Sequence, residues 1–270
     1  MTNRKPLIAI LGCGPSGLLA AHACAMKDVP FVIFSRKVKS QLGGAQYSHI
    51  PIPGIHDPDS SGVMLKYRLV GNADTYRHKV YGDNPVPFVS MERVRDGDEV
   101  HAWNLQKMYD DLWDWYQGNI IQTDINWNFA DRIQPVKSVF DLAFSSIPLP
   151  AICGATKDPA VNHWFKQQTI RIYNSDISDL PDNTIMYDGT EEHSFYRQSK
   201  IFGVGSTEWS SHAALPPLPD LKTVNKPLGT NCDCHDHLMR IGRFGTWQKG
   251  VLTFHAYNDV VDALARMGVE

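Results

Sequence analysis

The stretch Ile8-Ala9-Ile10-Leu11-Gly12-Cys13-Gly14-Pro15-Ser16-Gly17, continuing as Leu18 to Met26, constrains this chain more than any other. The apolar residues Leu7 to Leu11 suit a parallel strand buried on both faces, and residues 18 to 26 are rich in helix formers. A second apolar run, Val29 to Phe34, returns at the distance of a strand-helix-strand unit. In such a unit Gly12 permits the tight turn and Gly14 lets backbone approach a pyrophosphate. Gly17 lets helix and strand pack closely, and the helix that starts at Pro15 offers unpaired N–H groups, from Ser16 onward, to an anion. The spacing predicts a dinucleotide site at the head of an α/β domain.

The remaining composition narrows the class. With 270 residues, 43% hydrophobic and 20% charged, the chain has the make-up of a soluble globular protein with a sizeable core. A formal net charge of −3 gives no general attraction to nucleic acid or anionic lipid. Five cysteines, at 13, 24, 153, 232 and 234, do not form the pattern of a disulfide framework and fit a reducing cytoplasm. The apolar run at Leu7 is too short for a signal sequence or a membrane span.

The first unit leaves the nucleotide open. The residue closing the second strand is usually an acid that binds ribose hydroxyls, whereas here Ser35 and Arg36 stand, and arginine accompanies the extra phosphate of NADP. The following loop, Leu42-Gly43-Gly44-Ala45-Gln46, resembles the glycine pair of flavoproteins of the amine-oxidase and UDP-galactopyranose-mutase type. In that resemblance the loop lies along the FAD diphosphate. Near the other end, Ile241 to Leu252 precedes an amphipathic pattern of Ala256, Tyr257, Val260, Val261 and Leu264. This segment is similar to the closing flavin motif of the mutases, with Gly242, Arg243, Trp247, Val251 and Leu252 in the matching places. The resemblance implies a helix start facing the flavin pyrimidine, where its N–H groups stabilise reduced flavin. The family's acid-methionine pair is absent, which leaves that contact to the backbone. Asp141 to Pro150, with Ser146, Ile147 and Pro148, resembles the strand that runs into the cofactor, and Arg197 after Tyr196 resembles an arginine near the flavin.

The resemblance implies a Rossmann-like FAD-binding domain of the glutathione-reductase-like three-layer type, with a smaller β-rich part facing the substrate. The expected division is residues 1–50 and 120–270 for the FAD domain and 51–119 for the insertion. The implied function is an FAD-dependent oxidoreductase that moves a hydride between a small-molecule substrate and flavin N5. Oxygen or NAD(P)H would serve as the second redox partner. Two alternatives stand beside it: a mutase-like enzyme using reduced flavin without net redox change, and a nonenzymatic dinucleotide-binding module. The chain is shorter than a typical mutase, and the missing length is expected to come from the helical substrate domain.

Elsewhere, helical spacing of Trp103, Leu105, Met108, Tyr109, Leu112 and Tyr116 predicts a helix, while 63–70 and 79–81 read as short strands. Residues 205–225, with Pro216, Pro217 and Pro219, read as a long loop or lid. Candidate catalytic groups are His49, beside Tyr47 after the glycine pair; Arg197, as partner of an anion or of a surface acid; and His237, as a proton-handling group beside the flavin. His237 belongs to Asn231-Cys232-Asp233-Cys234-His235-Asp236-His237. No metal is expected there, because zinc pairs normally leave two residues between cysteines and no second pair stands elsewhere.

Overall fold

The computed structural model describes residues 4–36, 39, 42–44, 46–57, 62–82, 96–133, 139–154 and 162–269. Ala45, expected along the diphosphate, lies outside them. Among the described residues, no helix is long and apolar enough to cross a membrane.

Elements are numbered in chain order. Five parallel strands form one sheet: β1 (Ile8–Leu11), β2 (Phe31–Ser35), β6 (Ile120–Gln122), β7 (Leu142–Ser145) and β13 (Met239–Arg240), in the order β13-β7-β1-β2-β6. Successive side chains of a strand point to opposite faces, and β1 uses both. Ile8 and Ile10 pack in a core with Leu18, Met108, Leu112 and Val260 from α1 (Pro15–Met26), α3 (Leu105–Tyr116) and α7 (Thr253–Arg266). Ala9 and Leu11 face a second core with Ala130, Leu149 and Trp247 around α4 (Trp127–Arg132), α5 (Leu149–Ile152) and α6 (Gly242–Thr246). Two covered faces explain why β1 reads as a continuous apolar run, and the layers are the three expected.

The second sheet has eight strands in the order β12 (Lys222–Thr230), β8 (Phe165–Asn174), β11 (Val204–Ser210), β10 (Arg197–Ile201), β9 (Thr184–Gly189), β4 (Val63–Gly71), β5 (Glu99–Asn104) and β3 (Tyr47–Ser48). Neighbours are antiparallel except β4 and β9, which run parallel from Lys66 opposite Thr184 to Gly71 opposite Gly189. The two glycines let the strands meet: a Cβ on Gly189 would sit 1.9 Å from the Asn72 carbonyl oxygen. Over this junction lies α2 (Ala73–Tyr81), whose Tyr76 and Val80 pack against Ile170, Ile172 and Tyr196.

Three sequence expectations change. Residues 79–81 end a helix rather than form a strand; Asn72 caps it, its Oδ1 accepting from Asp74 N at 2.7 Å. Within residues 205–225 only 211–221 is a connecting loop; 205–210 belong to β11 and 222–225 to β12. Strand β11 is buried along nearly its whole length, so it lacks the alternation that marks a half-exposed strand. The segment 51–119 is also divided: β4 and β5 join the large sheet, whereas α3 buries Leu105, Met108 and Leu112 in the core beside α1. An amphipathic helix must cover its apolar face, and α1 offers the complementary one. The rest of the large sheet comes from β3 and from residues 165–230.

Candidate functional site

A cavity of about 370 Å³ opens beyond the carboxyl ends of β1, β2 and β7, where the strand order reverses. Open α/β sheets bind ligands at such a switch point. Its floor is the turn from β1 into α1, with Gly12, Gly14, Pro15 and Ser16; Ser35 and Arg36 form one side, Ser146, Ile147 and Pro148 another.

The three glycines of the turn have different reasons to be glycine. Gly12 has φ +98°, and a Cβ there would lie 2.5 Å from Ser146 Oγ. At Gly17 a Cβ would come within 2.0 Å of the Gly12 carbonyl oxygen, so helix and strand touch through it. Gly14 has an ordinary φ of −71°, and its Cβ direction meets no protein atom within 4 Å. Neither strain nor packing requires glycine at 14. Gly14 lines the cavity at the start of α1, where no side chain caps the first N–H groups. Such a start attracts anionic oxygens.

The Gly242 segment completes the cavity. Gly242 has φ +68°, and a Cβ would come within 2.2 Å of Ser16 Oγ, so α6 seats directly on the start of α1. This seating brings Phe244 to the cavity wall. Trp247 does otherwise: its left-handed φ of 52° turns the indole into the core, where Nε1 donates to the Lys166 carbonyl at 3.1 Å. Val251 and Leu252 lead into α7 without lining this cavity, and the Leu252 N–H donates to His255 Nδ1. Sequence reasoning also passed over Cys13, Ile125 and Ala151 as lining residues. Cys13 stands inside the glycine motif and its thiol donates to Ser35 Oγ at 3.1 Å, whereas Ile125 and Ala151 carry no motif. Arg36 is largely exposed and pairs with exposed Asp124 at 3.4 Å.

The glycine pair faces a buried charge cluster. A Cβ on Gly44, whose φ is +78°, would lie 3.0 Å from Glu208 Oε1, and Gln46 Nε2 donates to the Gly43 carbonyl at 2.6 Å. Glu208, 1% exposed, accepts from Arg197, from Tyr196 OH at 2.7 Å and from Lys226 Nζ at 3.1 Å. The alternative of a surface partner for Arg197 is thereby replaced by a buried one. Burial alone would raise the Glu208 carboxyl, but Arg197, Lys226 and the hydrogen bonds hold it down to about 2. Burial pulls Lys226 down to about 8 against the attraction of Glu208, helped by Arg197 and Arg243. Two cations therefore hold one carboxylate, with Arg243 near Lys226 as a third positive charge, and Nε of both Arg197 and Arg243 is buried without a partner.

None of the three catalytic candidates lines the 370 Å³ cavity. His49 lies beside the Tyr47 ring at 4.7 Å, Arg197 holds Glu208, and His237 Nε2 meets the Ala130 carbonyl of α4 at 3.0 Å. The neighbouring cysteines meet ligands that sequence spacing did not offer: Cys153 and His163 lie against Cys232 and Cys234.

No protein-family model matches the sequence, and no curated protein matches it. Solved structures do match the fold. Reduced UDP-galactopyranose mutase superposes with a TM-score of 0.58 at 13% identity, covering 99% of this chain and 95% of that one. A flavin-dependent brominase gives 0.57 at 11% identity, covering 97% and 78%. Aklavinone-11 hydroxylase, solved with FAD and aklavinone, gives 0.56 at 10% identity, covering 99% and 63%. The fold is that of FAD-binding flavoproteins. The glycine turn and Gly14 lie at the switch point of the parallel sheet.

Proposed function

We propose that the chain is an FAD-dependent oxidoreductase that transfers a hydride between a small-molecule substrate and flavin N5. The observation that carries this reading is Gly14: a glycine whose Cβ direction is empty of protein, on the floor of a cavity at an uncapped helix start. The turn at Gly12, Gly14, Ser16 and Gly17 suits the diphosphate, Ser35 and Arg36 the adenosine side, and Ser146 and Phe244 the remaining wall. Bound FAD supplies a two-electron acceptor and donor.

The chain's own contribution is electrostatic. Arg197, Lys226 and Arg243 exceed Glu208 in charge, and in a buried setting such a fixed excess favours a negative group, whether an anionic substrate or reduced flavin. Lys226 Nζ holds its proton at neutral pH and releases it near pH 8, within range of proton exchange with a bound molecule. Hydride transfer needs orientation more than a protein nucleophile, which fits a cavity lined by backbone, hydroxyls and apolar side chains.

The test is to purify the protein, record its visible spectrum, identify released flavin by chromatography and titrate the apoprotein with FAD. Anaerobic addition of NADH, NADPH or candidate substrates then follows bleaching of the flavin band. A colourless protein that fails to quench FAD fluorescence would overturn the reading. Bound flavin that is never reduced, but whose prior reduction is needed for a rearrangement, would replace the oxidoreductase with a mutase-like enzyme.

A further inference from the structure

Three separated segments bring one histidine and three cysteines to a point. Cys153 follows α5, His163 precedes β8, and Cys232 and Cys234 follow β12. Cys153 Sγ lies 3.4 Å from Cys232 Sγ and 3.7 Å from Cys234 Sγ; His163 Nδ1 lies 3.2 Å from Cys153 Sγ and 3.5 Å from Cys234 Sγ. All four ligand atoms fall within 4.8 Å of one another. We propose that these four residues form a structural zinc site.

The distances match the chemistry. Zinc bound tetrahedrally at about 2.3 Å to sulfur and about 2.0 Å to nitrogen separates its ligand atoms by about 3.8 Å for sulfur pairs and about 3.6 Å for sulfur and nitrogen. The four separations of 3.2 to 3.7 Å lie at or up to about 0.4 Å below those values, and all are well beyond the roughly 2.05 Å of a disulfide. Thiolate-rich sets select soft or borderline ions over magnesium or calcium, and three cysteines with one histidine form a closed structural zinc set with no position left for substrate.

The surroundings prepare the set. His163 presents Nδ1 to the sulfurs while Nε2 faces Asp233 Oδ1 at 3.3 Å, the carboxylate-histidine arrangement that fixes the tautomer of a zinc ligand. Arg240 donates to the carbonyls of Cys232, at 2.7 Å, and Cys234, which fixes the turn between them. Its positive charge also offsets the single negative charge left by three thiolates around Zn²⁺. Asn231 and Thr230 clamp the His163 segment: Asn231 Oδ1 accepts from Trp164 N at 2.7 Å, and Thr230 Oγ1 donates to the Trp164 carbonyl at 2.7 Å. His235, in the left-handed region at φ 58°, holds the Ile152 carbonyl at 2.7 Å, just before Cys153. Binding releases the three thiol protons as Zn²⁺ enters, so the site gains affinity as pH rises. Because α5 also carries Ala151 to the cavity wall, the zinc would pin one wall of the dinucleotide cavity from behind.

The experiment is elemental analysis of wild-type protein purified without chelators, backed by cobalt(II) substitution and by mass spectrometry of alkylated cysteines. About one zinc per chain is expected, with the intense visible bands of a tetrahedral thiolate site after cobalt exchange. Cys234→Ser should lower the zinc content at least about fivefold. Asp233→Asn, at an exposed carboxylate, should keep the fold and weaken zinc about 10- to 100-fold in competition with a chromophoric chelator. Metal-free wild type with three freely alkylated thiols, a disulfide among Cys153, Cys232 and Cys234, or iron in place of zinc would each overturn the proposal. The metal content of wild type decides even if the cysteine variant fails to fold.

Discussion

Replacing Gly14 with valine separates ligand space from folding. The backbone at 14 has φ −71° and ψ 178°, which any residue adopts, and its Cβ would meet no protein atom within 4 Å. A side chain there should therefore cost the empty protein nothing. Losing glycine's freedom in the unfolded chain stabilises by about 0.4–1 kcal/mol, which for a chain of this size raises Tm by about 1–4 °C. Under the proposed function, the same side chain would stand where the diphosphate approaches the N–H groups at the start of α1. Breaking two charge-assisted hydrogen bonds at about 1.5–3 kcal/mol each removes at least about 3 kcal/mol, a roughly 100-fold or greater loss of FAD affinity. The assay pairs thermal unfolding of the flavin-free protein with fluorescence titration of FAD, for wild type and Gly14→Val. Wild-type affinity in the variant would refute the diphosphate assignment. A large fall in the Tm of the flavin-free variant would refute the claim that the space at Gly14 belongs to a ligand.

Other outcomes follow from neighbouring geometry. Gly17→Ala forces a Cβ onto the Gly12 carbonyl and should destabilise the flavin-free protein by about 1–3 kcal/mol or more, read by urea unfolding; an unchanged midpoint would contradict the contact. Glu208→Gln leaves Arg197 and Lys226 buried without their carboxylate, at a cost of about 3–5 kcal/mol at neutral pH. Since the folded carboxyl is held at about 2, below its ordinary 4.5, its stabilising effect is complete above about pH 5 and fades as pH falls from 4.5 toward 2. The stability gap between wild type and variant should shrink across that window, and a gap independent of pH would show that Glu208 is not the titrating group. Arg36→Ala removes only an exposed ion pair and should change stability by less than about 0.5 kcal/mol and FAD affinity modestly; a large selective loss of NADPH binding would assign the site to a nicotinamide instead.

What the sequence revealed depends on how local the physics is. The left-handed turn at Gly12 and the contact of Gly17 with the Gly12 carbonyl lie within one strand-turn-helix unit, so spacing alone predicts them. The apolar face of α7 is equally local: Ala256, Tyr257, Val260 and Leu264 recur at helical intervals and are all buried. Residues 244 and 247 illustrate the limit. Both belong to the closing motif, but which aromatic reaches the cavity depends on the left-handed turn at Trp247, and a motif match does not report that. Strand β6 spans three residues at the sheet edge, too few to show a period. The metal ligands were hidden for a different reason. Cys153 and His163 lie about 70 to 80 positions from their partners, so the pair judged incomplete by spacing is completed only by the packing of α5 against the turn after β12.

The parallel pairing of β4 with β9 makes the large sheet a book with two leaves. One leaf, β3 to β5, and the other, β8 to β12, are each antiparallel within themselves, and the spine between them is the single parallel seam. Pairing distant segments is slow and parallel bonds are slightly weaker, so the seam should form last and open first. Its end is fastened by α2, from which Lys79 Nζ reaches buried Asp188 of β9 at 2.7 Å. Amides crossing the seam, such as Lys66 N to the Asn183 carbonyl and Asn72 N to the Gly189 carbonyl, should then exchange with deuterium before those inside either leaf. Each opening would swing Tyr47 and His49 away from the Arg197 and Glu208 leaf, giving an otherwise rigid sheet one line along which the ground beside the glycine pair can yield.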